Sequence, residues 1–457
     1  MTNIYNDIKK QLDEISPSFC LAKWSQLTLY LQNGYNHSCH HPTPHKIPLR
    51  ELENNHKALH NTKYKKRQMK QMLKGDRPLE CEYCWKIEDL GKEYISDRVY
   101  KSANSFSQVK KEEILKKRID DIEPSYLEVS FSNTCNMKCA YCSPDISSSW
   151  MDEIEKFGGY PTSTKYNDIN YFKDNLKIPY KKSEHNPYVD AFWKWWPELY
   201  PKLHTLRITG GEPLLSKDTW KVMDELIENP NPNLIFSINT NLMVPDNLID
   251  RLIDKFNKLD GKVKELQIFT SGEAVGKHNE YIRYGTDHKK WERNCEKILS
   301  NIKNVLFSIM TTVNLTSVVT YDEFIKYLLK LRAKYIKEVN FNKLQFMTNY
   351  LRYPEFLSIQ NLDSDSKILF RQKIEKLIKN SKNSNWEDDT YLTEEQINQL
   401  QRLIEYMDVI PSDDKLNQNR KDFYLFTEEY DNRRNLNFKK TFTELSKFYK
   451  LCQATIS

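Results

Sequence analysis

The sequence predicts an α/β protein built from parallel βα units, arranged either as an α/β barrel or as a doubly wound sheet. Two observations carry this. Between residues 120 and 350 six apolar runs of strand length recur: "YLEVSF" (126–131), "TLRIT" (205–209), "NLIFSI" (233–238), "ELQIFT" (265–270), "VLFSIM" (305–310) and "EVNFNKLQFM" (338–347). Between several of them lie amphipathic helical patterns such as "KDTWKVMDELIEN" (217–229) and "PDNLIDRLIDKF" (245–256).

The flanks read differently. Residues 1–100 are rich in His, Lys and Cys, hold four of the nine cysteines, and include the loop-like "SCHHPTPHKIP" (38–48). Residues 351–457 read as a helical C-terminal region, with helices over 367–380 and 393–407 separated by polar linkers. Residues 158–190 break the strand–helix alternation; they are longer than an ordinary loop and rich in Tyr, Lys and Asn, so they are expected as an insertion near the mouth of the sheet or barrel. The aromatic run Phe192, Trp193, Trp195 and Trp196 is expected as the buried face of a helix rather than as a stacking platform.

Composition narrows the class. A chain of 457 residues can bury a large core, and 12% aromatics offset a modest 39% hydrophobic content, so an ordered protein is expected. With 69 basic and 63 acidic side chains the net charge is +6, too small an excess to argue for nucleic acid or a membrane. Basic runs such as "KYKKRQMK" (63–70) and "KKEEILKKR" (110–118) are expected as solvated helix faces. The polar start "MTNIYNDIKKQLDEI" lacks the apolar region of a signal peptide, and no run of 18 apolar residues occurs. A cytoplasmic, reducing setting is therefore expected, in which clustered cysteines bind metal or do chemistry. Cys295 and Cys452 stand apart from the clusters and are expected as packing thiols.

The chemistry concentrates after the first of the six runs, in "SFSNTCNMKCAYCSPDISSSW" (130–150). Cys135, Cys139 and Cys142 form a C-x3-C-x2-C array at the strand end, the loop position where such folds keep their functional groups. Three thiolates with no fourth in reach suit an iron–sulfur cubane with one open iron. A zinc ion completed by a distant histidine, or simply packed thiols, are the alternatives. The second run ends in Gly210-Gly211-Glu212-Pro213. Paired glycines let backbone groups approach a ligand closely, and the adjacent carboxylate can meet a positive amine. With only 11 glycines in the chain, each carries unusual weight.

In these residues the sequence resembles the radical SAM superfamily: Cys135-x3-Cys139-x2-Cys142, Tyr141 before the last cysteine, and Gly210-Gly211-Glu212-Pro213 in the next βα loop. The resemblance implies a partial (β/α)6 TIM-type barrel over 120–350. It implies a [4Fe-4S] cluster on the three cysteines whose open iron binds the amino and carboxylate groups of S-adenosylmethionine (SAM). Cleavage of SAM would then yield methionine and a 5′-deoxyadenosyl radical. It implies further that the glycine motif meets the methionine amine and that Tyr141 contacts adenine through its backbone. The segment "TSGEAVGKHNEYIRYG" (270–285) resembles the fourth-strand segment of these enzymes, with Ser271 toward ribose or carboxylate and Arg283 toward the SAM carboxylate. "NTN" (239–241) occupies a cofactor-side position without an assigned role, and no general acid or base is assigned.

Cys20, Cys39, Cys81 and Cys84 occur as F-C-x3-W, Gly34-x4-Cys39 and Cys81-x2-Cys84. Spacing alone leaves zinc and iron–sulfur both open. The pattern resembles the twitch/SPASM domains that accompany radical SAM barrels, which implies that 1–100 is an N-terminal module holding an auxiliary four-iron cluster. Where related modules often have Cys-Cys this chain has Cys39-His40, so the ligand set is either four cysteines or includes histidine. His37, His40 and His41 crowd that loop and are expected as surface polar residues.

Two function classes follow. One is a radical SAM oxidoreductase acting on a peptide, protein or small molecule, served by a reductant such as flavodoxin or ferredoxin. The other is a non-catalytic, metal-stapled binding or scaffold protein, which has no use for an incomplete cysteine trio near a Gly-Gly-Glu strand end.

Overall fold

The computed structural model describes residues 2–91, 93–339 and 343–456. The protein is mixed α/β, with most strands parallel. In chain order the strands are β1 (Gln26–Tyr30), β2 (Tyr35–His37), β3 (His45–Lys46), β4 (Tyr126–Ser130), β5 (Lys138–Cys139), β6 (Thr205–Thr209), β7 (Asn231–Asn239), β8 (Val263–Ser271), β9 (Arg283–Tyr284), β10 (Leu306–Val313) and β11 (Leu344–Tyr350). Two compact units emerge. The first comprises Met1–Asn133, Leu176–Ile238 and Gly261–Lys264; the second comprises Thr134–Asn175, Asn239–Asp260 and Glu265–Ser457. No helix among the described residues is long and apolar enough to cross a membrane.

In the first unit the strands lie in the order β7-β6-β4-β1-β2-β3. β7, β6, β4 and β1 are parallel, and β1, β2 and β3 form an antiparallel meander. The expected runs at 126–131, 205–209 and 233–238 are all strands. β1 is an addition: "QLTLY" from the Cys-rich front pairs residue for residue with β4, from Gln26↔Tyr126 to Tyr30↔Ser130. Its signal is weak because Gln26 and Thr28 are buried alongside Leu27 and Leu29, so polarity does not alternate with burial. At the β1–β2 turn Gly34 has φ +69°, and its N–H donates to the Tyr30 carbonyl at 2.8 Å. A Cβ there would enter the Tyr188 ring, so only glycine fits.

Tyr188 belongs to the helix Pro187–Leu199, which starts sharply because Asn186 accepts from the N–H groups of Tyr188 and Val189. Phe192, Trp195 and Trp196 are buried, and Phe131, just beyond β4, meets Phe192 edge-on at 5.0 Å. The aromatic run is thus a packing face, worth about 1.5–3 kcal/mol for each fully buried ring.

In the second unit β8, β10 and β11 are parallel neighbours, while β5 and β9 form a separate two-residue antiparallel ladder. The runs at 265–270 and 305–310 are strands. The strand expected over 338–347 is displaced: the preceding helix Tyr321–Val339 runs through 338–339, residues 340–342 lie outside the described residues, and β11 begins at Leu344.

The helices expected over 367–380 and 393–407 are Ser364–Ser381 and Glu394–Asp408; the second opens with a capping box between Thr393 and Gln396. A third long helix, Asp413–Arg434, carries no clear apolar stripe. Its buried face mixes Phe423, Phe426 and Tyr430 with Asn419, Asp422, Thr427 and Arg434, which masks the 3.6-residue period. This helix holds the part of the 158–190 insertion that belongs to the second unit. Asp422 accepts from the Ser163 N–H at 2.8 Å and hydroxyl at 2.5 Å, and Arg433 donates to the carbonyls of Gly158 and Gly159. Cys295 and Cys452 are fully buried, as packing thiols should be.

Candidate functional site

In the second unit the cysteine loop is pinned mainly through its backbone. The Cys135 N–H donates to the Ser148 hydroxyl at 3.1 Å, and its carbonyl accepts from Ser149 at 2.6 Å. The Trp150 indole donates to the Cys139 carbonyl at 2.9 Å. Tyr166 and Asn167, from the insertion, donate to the Cys142 carbonyl at 2.8 and 3.1 Å. Asn241, the last residue of "NTN", places Nδ2 2.9 Å from Asn136 Oδ1 and 4.0 Å from Cys135 Sγ. Cys142 Sγ lies 3.9 Å from the Ser143 carbonyl. Burial, with the neighbouring Cys139 and Cys135, pushes the Cys142 thiol pKa up.

Arg283 pairs directly with Cys139 in the β5–β9 ladder. Its Nη1 donates to the Tyr141 hydroxyl at 2.7 Å, and that hydroxyl donates to Glu273 Oε1 at 2.7 Å. Glu273 is completely buried; its Oε2 has no hydrogen-bond partner among the described residues and lies 3.6 Å from Arg283 Nη1. Burial raises the Glu273 carboxyl above its usual range, with Arg283 opposing the rise. Burial likewise works against the guanidinium, but Cys139, Tyr141 and Glu273 outweigh it and Arg283 is held firmly charged. Tyr141 and Arg283 are thus joined side chain to side chain. Glu273, the third member, went unmarked in the sequence; the signal available was an acidic residue two positions after a strand-end serine. That serine, Ser271, ends β8 opposite Met310.

The glycine motif lies in the first unit, where β6 ends beside β4. Gly210 has φ +126°, and a Cβ there would come within 2.8 Å of both Ser130 Oγ and the Ser132 carbonyl. The Gly211 N–H donates to that same carbonyl at 3.2 Å. Glu212 is buried, and its Oε1 accepts from the Leu214 N–H at 3.0 Å, capping the short 3-10 turn Pro213–Leu215.

Cys20, Cys39, Cys81 and Cys84, also in the first unit, line a single small cavity with Lys23, Arg98 and their neighbours. Backbone N–H groups face the sulfurs: those of Lys23 and Ala22 at Cys20, of His41 at Cys39 and of Arg98 at Cys84. Burial pushes the thiols of Cys39 and Cys81 up to about 11. Two buried cations stand beside the thiols, both paired with carboxylates. Lys23 pairs with Glu80 and feels Cys81, Cys39 and Cys20, while Arg98 is fixed on Glu88 at 2.8 Å, Asp13 at 2.9 Å and the Phe19 carbonyl at 2.9 Å. The expectation that His37 is a surface residue is overturned. It is buried in β2, its Nδ1 lies 2.5 Å from the Cys39 carbonyl, and burial lowers its pKa to about 4.

Tetrahedral zinc with bonds of roughly 2.3 Å needs sulfurs about 3.8 Å apart. Among the described residues neither the trio nor the front four offers three thiols within 4.8 Å of one another.

Residues 129–331 match the family model "Radical SAM superfamily". The match supports the superfamily assignment and, with it, iron–sulfur binding and SAM as a partner. No curated protein matches the chain.

Proposed function

We propose that this chain is a radical SAM enzyme with a partial (β/α)6 barrel over 120–350, a twitch/SPASM-like auxiliary module over 1–100 and a helical extension over 351–457, working in the cytoplasm. The observation that carries the proposal is the pairing of Cys139, in the C-x3-C-x2-C loop, with the buried cation Arg283. Cys135, Cys139 and Cys142 would hold a [4Fe-4S] cluster, which would supply the chemistry of reductive SAM cleavage, a one-electron delivery from an external reductant that opens a route to hydrogen abstraction from an unactivated carbon.

The chain's own residues bind and orient. Gly210 and Gly211 bare their backbone toward the methionine amine. Arg283 offers a fixed positive charge for the methionine carboxylate, held at Cys139 by Tyr141 and Glu273. Tyr160, Tyr166, Phe356 and Phe426 form a continuous aromatic layer behind the Cys142 carbonyl and keep water from that side of the loop. Cys20, Cys39, Cys81 and Cys84 hold an auxiliary [4Fe-4S] cluster, suited to taking up an electron in a net oxidation. A peptide or protein substrate is favoured over a small molecule, with flavodoxin or ferredoxin as reductant.

Anaerobic reconstitution tests this. Near eight irons and eight sulfides per chain, with 5′-deoxyadenosine formed from SAM under a strong reductant, are expected. Changing Cys135, Cys139 and Cys142 together to Ala should remove roughly half the iron and all SAM cleavage, because only the cluster with an open iron cleaves SAM. Cys81→Ala with Cys84→Ala should spare part of SAM cleavage and abolish substrate turnover. A chain that binds only zinc and leaves SAM intact would overturn the proposal.

A further inference from the structure

Beside the four-thiol cavity stands a second group of metal-capable side chains that the sulfur chemistry does not use. His40 and His41 follow Cys39 in the loop after β2, and Asp97 opens the helix Asp97–Ala103. Their donor atoms all lie within 4.8 Å of one another, and among the described residues this is the one group of three or more His, Cys, Asp or Glu to meet that test. Both imidazoles aim Nε2 at the same carboxylate oxygen: His41 Nε2 is 2.8 Å and His40 Nε2 3.6 Å from Asp97 Oδ2.

We propose that His40, His41 and Asp97 form a mononuclear site for a zinc-class divalent ion, distinct from the four-thiol cavity and sharing a wall with it. Ligand bonds of roughly 2.05 Å in a tetrahedral site put donors about 3.3 Å apart, and the two observed separations bracket that value. Two imidazoles and one carboxylate suit zinc and its first-row neighbours, whereas calcium and magnesium prefer oxygen-only shells. The His41 ring is held ready by a stacked Tyr83 at 3.7 Å and 12°. Three protein ligands leave a fourth position, and the His40 side chain, 60% exposed, opens that position to solvent. A simple His–Asp ion pair explains His41 alone. His40 is brought to the same oxygen with its ring 4.1 Å from the His41 ring.

The site would act on its neighbour. His41 and Asp97 both line the four-thiol cavity, so one ion bridging loop and helix closes that wall. The inference stands whether the thiols hold an iron–sulfur cluster or nothing, and fails if they are where the zinc goes.

The test uses the full chain after anaerobic reconstitution and gel filtration, with zinc as the probe. Zinc affinity is read by chelator competition and the ligand shell by zinc-edge X-ray absorption, with iron measured separately on the same samples. One tightly held zinc per chain is expected, in a shell of nitrogen and oxygen only. His40→Ala, an exposed change, should weaken zinc binding by more than the roughly 10–100-fold that loss of a supporting hydrogen bond costs, with iron content unchanged. Asp97→Asn, checked for native circular dichroism, should do the same. Sulfur in the zinc shell, no retained zinc, or a His40→Ala affinity equal to that of the unaltered chain would each overturn the proposal. Low iron with the expected zinc behaviour would count against the cluster assignment and leave this site standing.

Discussion

Cys139 and Arg283 are paired across the two-residue ladder of β5 and β9, so a guanidinium is fixed beside a thiol proposed above as an iron ligand. The guanidinium is buried and charged, and its nearest partners are the Tyr141 hydroxyl and the Glu273 carboxylate. A fixed cation favours the more negative, reduced state of a cluster. Arg283→Gln should therefore shift the cluster's reduction potential downward by on the order of 59 mV, a tenfold change in a one-electron equilibrium. Arg283→Lys should recover part of the shift. Electron paramagnetic resonance during a redox titration reads both, and an unmoved potential in Arg283→Gln would remove the electrostatic role.

Gly210 is constrained twice, by its φ of +126° and by Ser130 and Ser132 at 2.8 Å from any added Cβ. Gly210→Ala should cost about 1–3 kcal/mol of stability and weaken SAM binding measured by equilibrium dialysis. Unchanged melting and unchanged binding would mean that the turn relaxes freely.

Glu153 receives Lys138 at 2.8 Å and Arg434 at 2.9 Å, and all but the lysine are deeply buried. Lys138 lies between Cys135 and Cys139, so this network ties the C-terminal helix Asp413–Arg434 to the cysteine loop. Removing one partner of a buried pair typically costs about 3–5 kcal/mol. Arg434→Met should destabilise the protein on that scale in denaturant titrations and lower iron retention, whereas Lys447→Met, at an exposed pair with Asp365, should change neither.

Acid should loosen the first unit before it reaches ordinary carboxylates. Burial lowers His37 to about 4 and His45 to about 3, and His60 shifts in the same direction. Below pH 6.5 the unfolded chain binds protons that the folded chain refuses, so stability falls as pH falls, down to the folded values. Each of His37 and His45 contributes a slope of up to about 1.4 kcal/mol per pH unit. Melting of the metal-free protein between pH 6.5 and 4 should show this, with a shallower slope in His37→Gln.

Five of the six apolar runs between 120 and 350 became strands in place because β-branched and aromatic residues cluster there between clear helical periods. The sixth was displaced because helix Tyr321–Val339 extends into it. β1 stayed hidden because its polar residues are buried, and Asp413–Arg434 because its inward face carries Asn, Asp and Arg alongside the aromatics. In the candidate site the cysteine and glycine motifs stood out in the sequence, and the roles proposed for them rest on the family resemblance. Glu273 did not stand out, since a lone acid reveals its burial only when Tyr141 and Arg283 are brought around it.

β1 lies between β2 and β4 in the ladder, so the first hundred residues do not behave as a detachable cassette. A chain started near residue 120 would present the unpaired edge of β4 along Leu127–Val129, an invitation for copies to stack on one another. Anyone transplanting the cysteine loop into another scaffold, or grafting a different front module here, would have to carry Gln26–Tyr30 across with it.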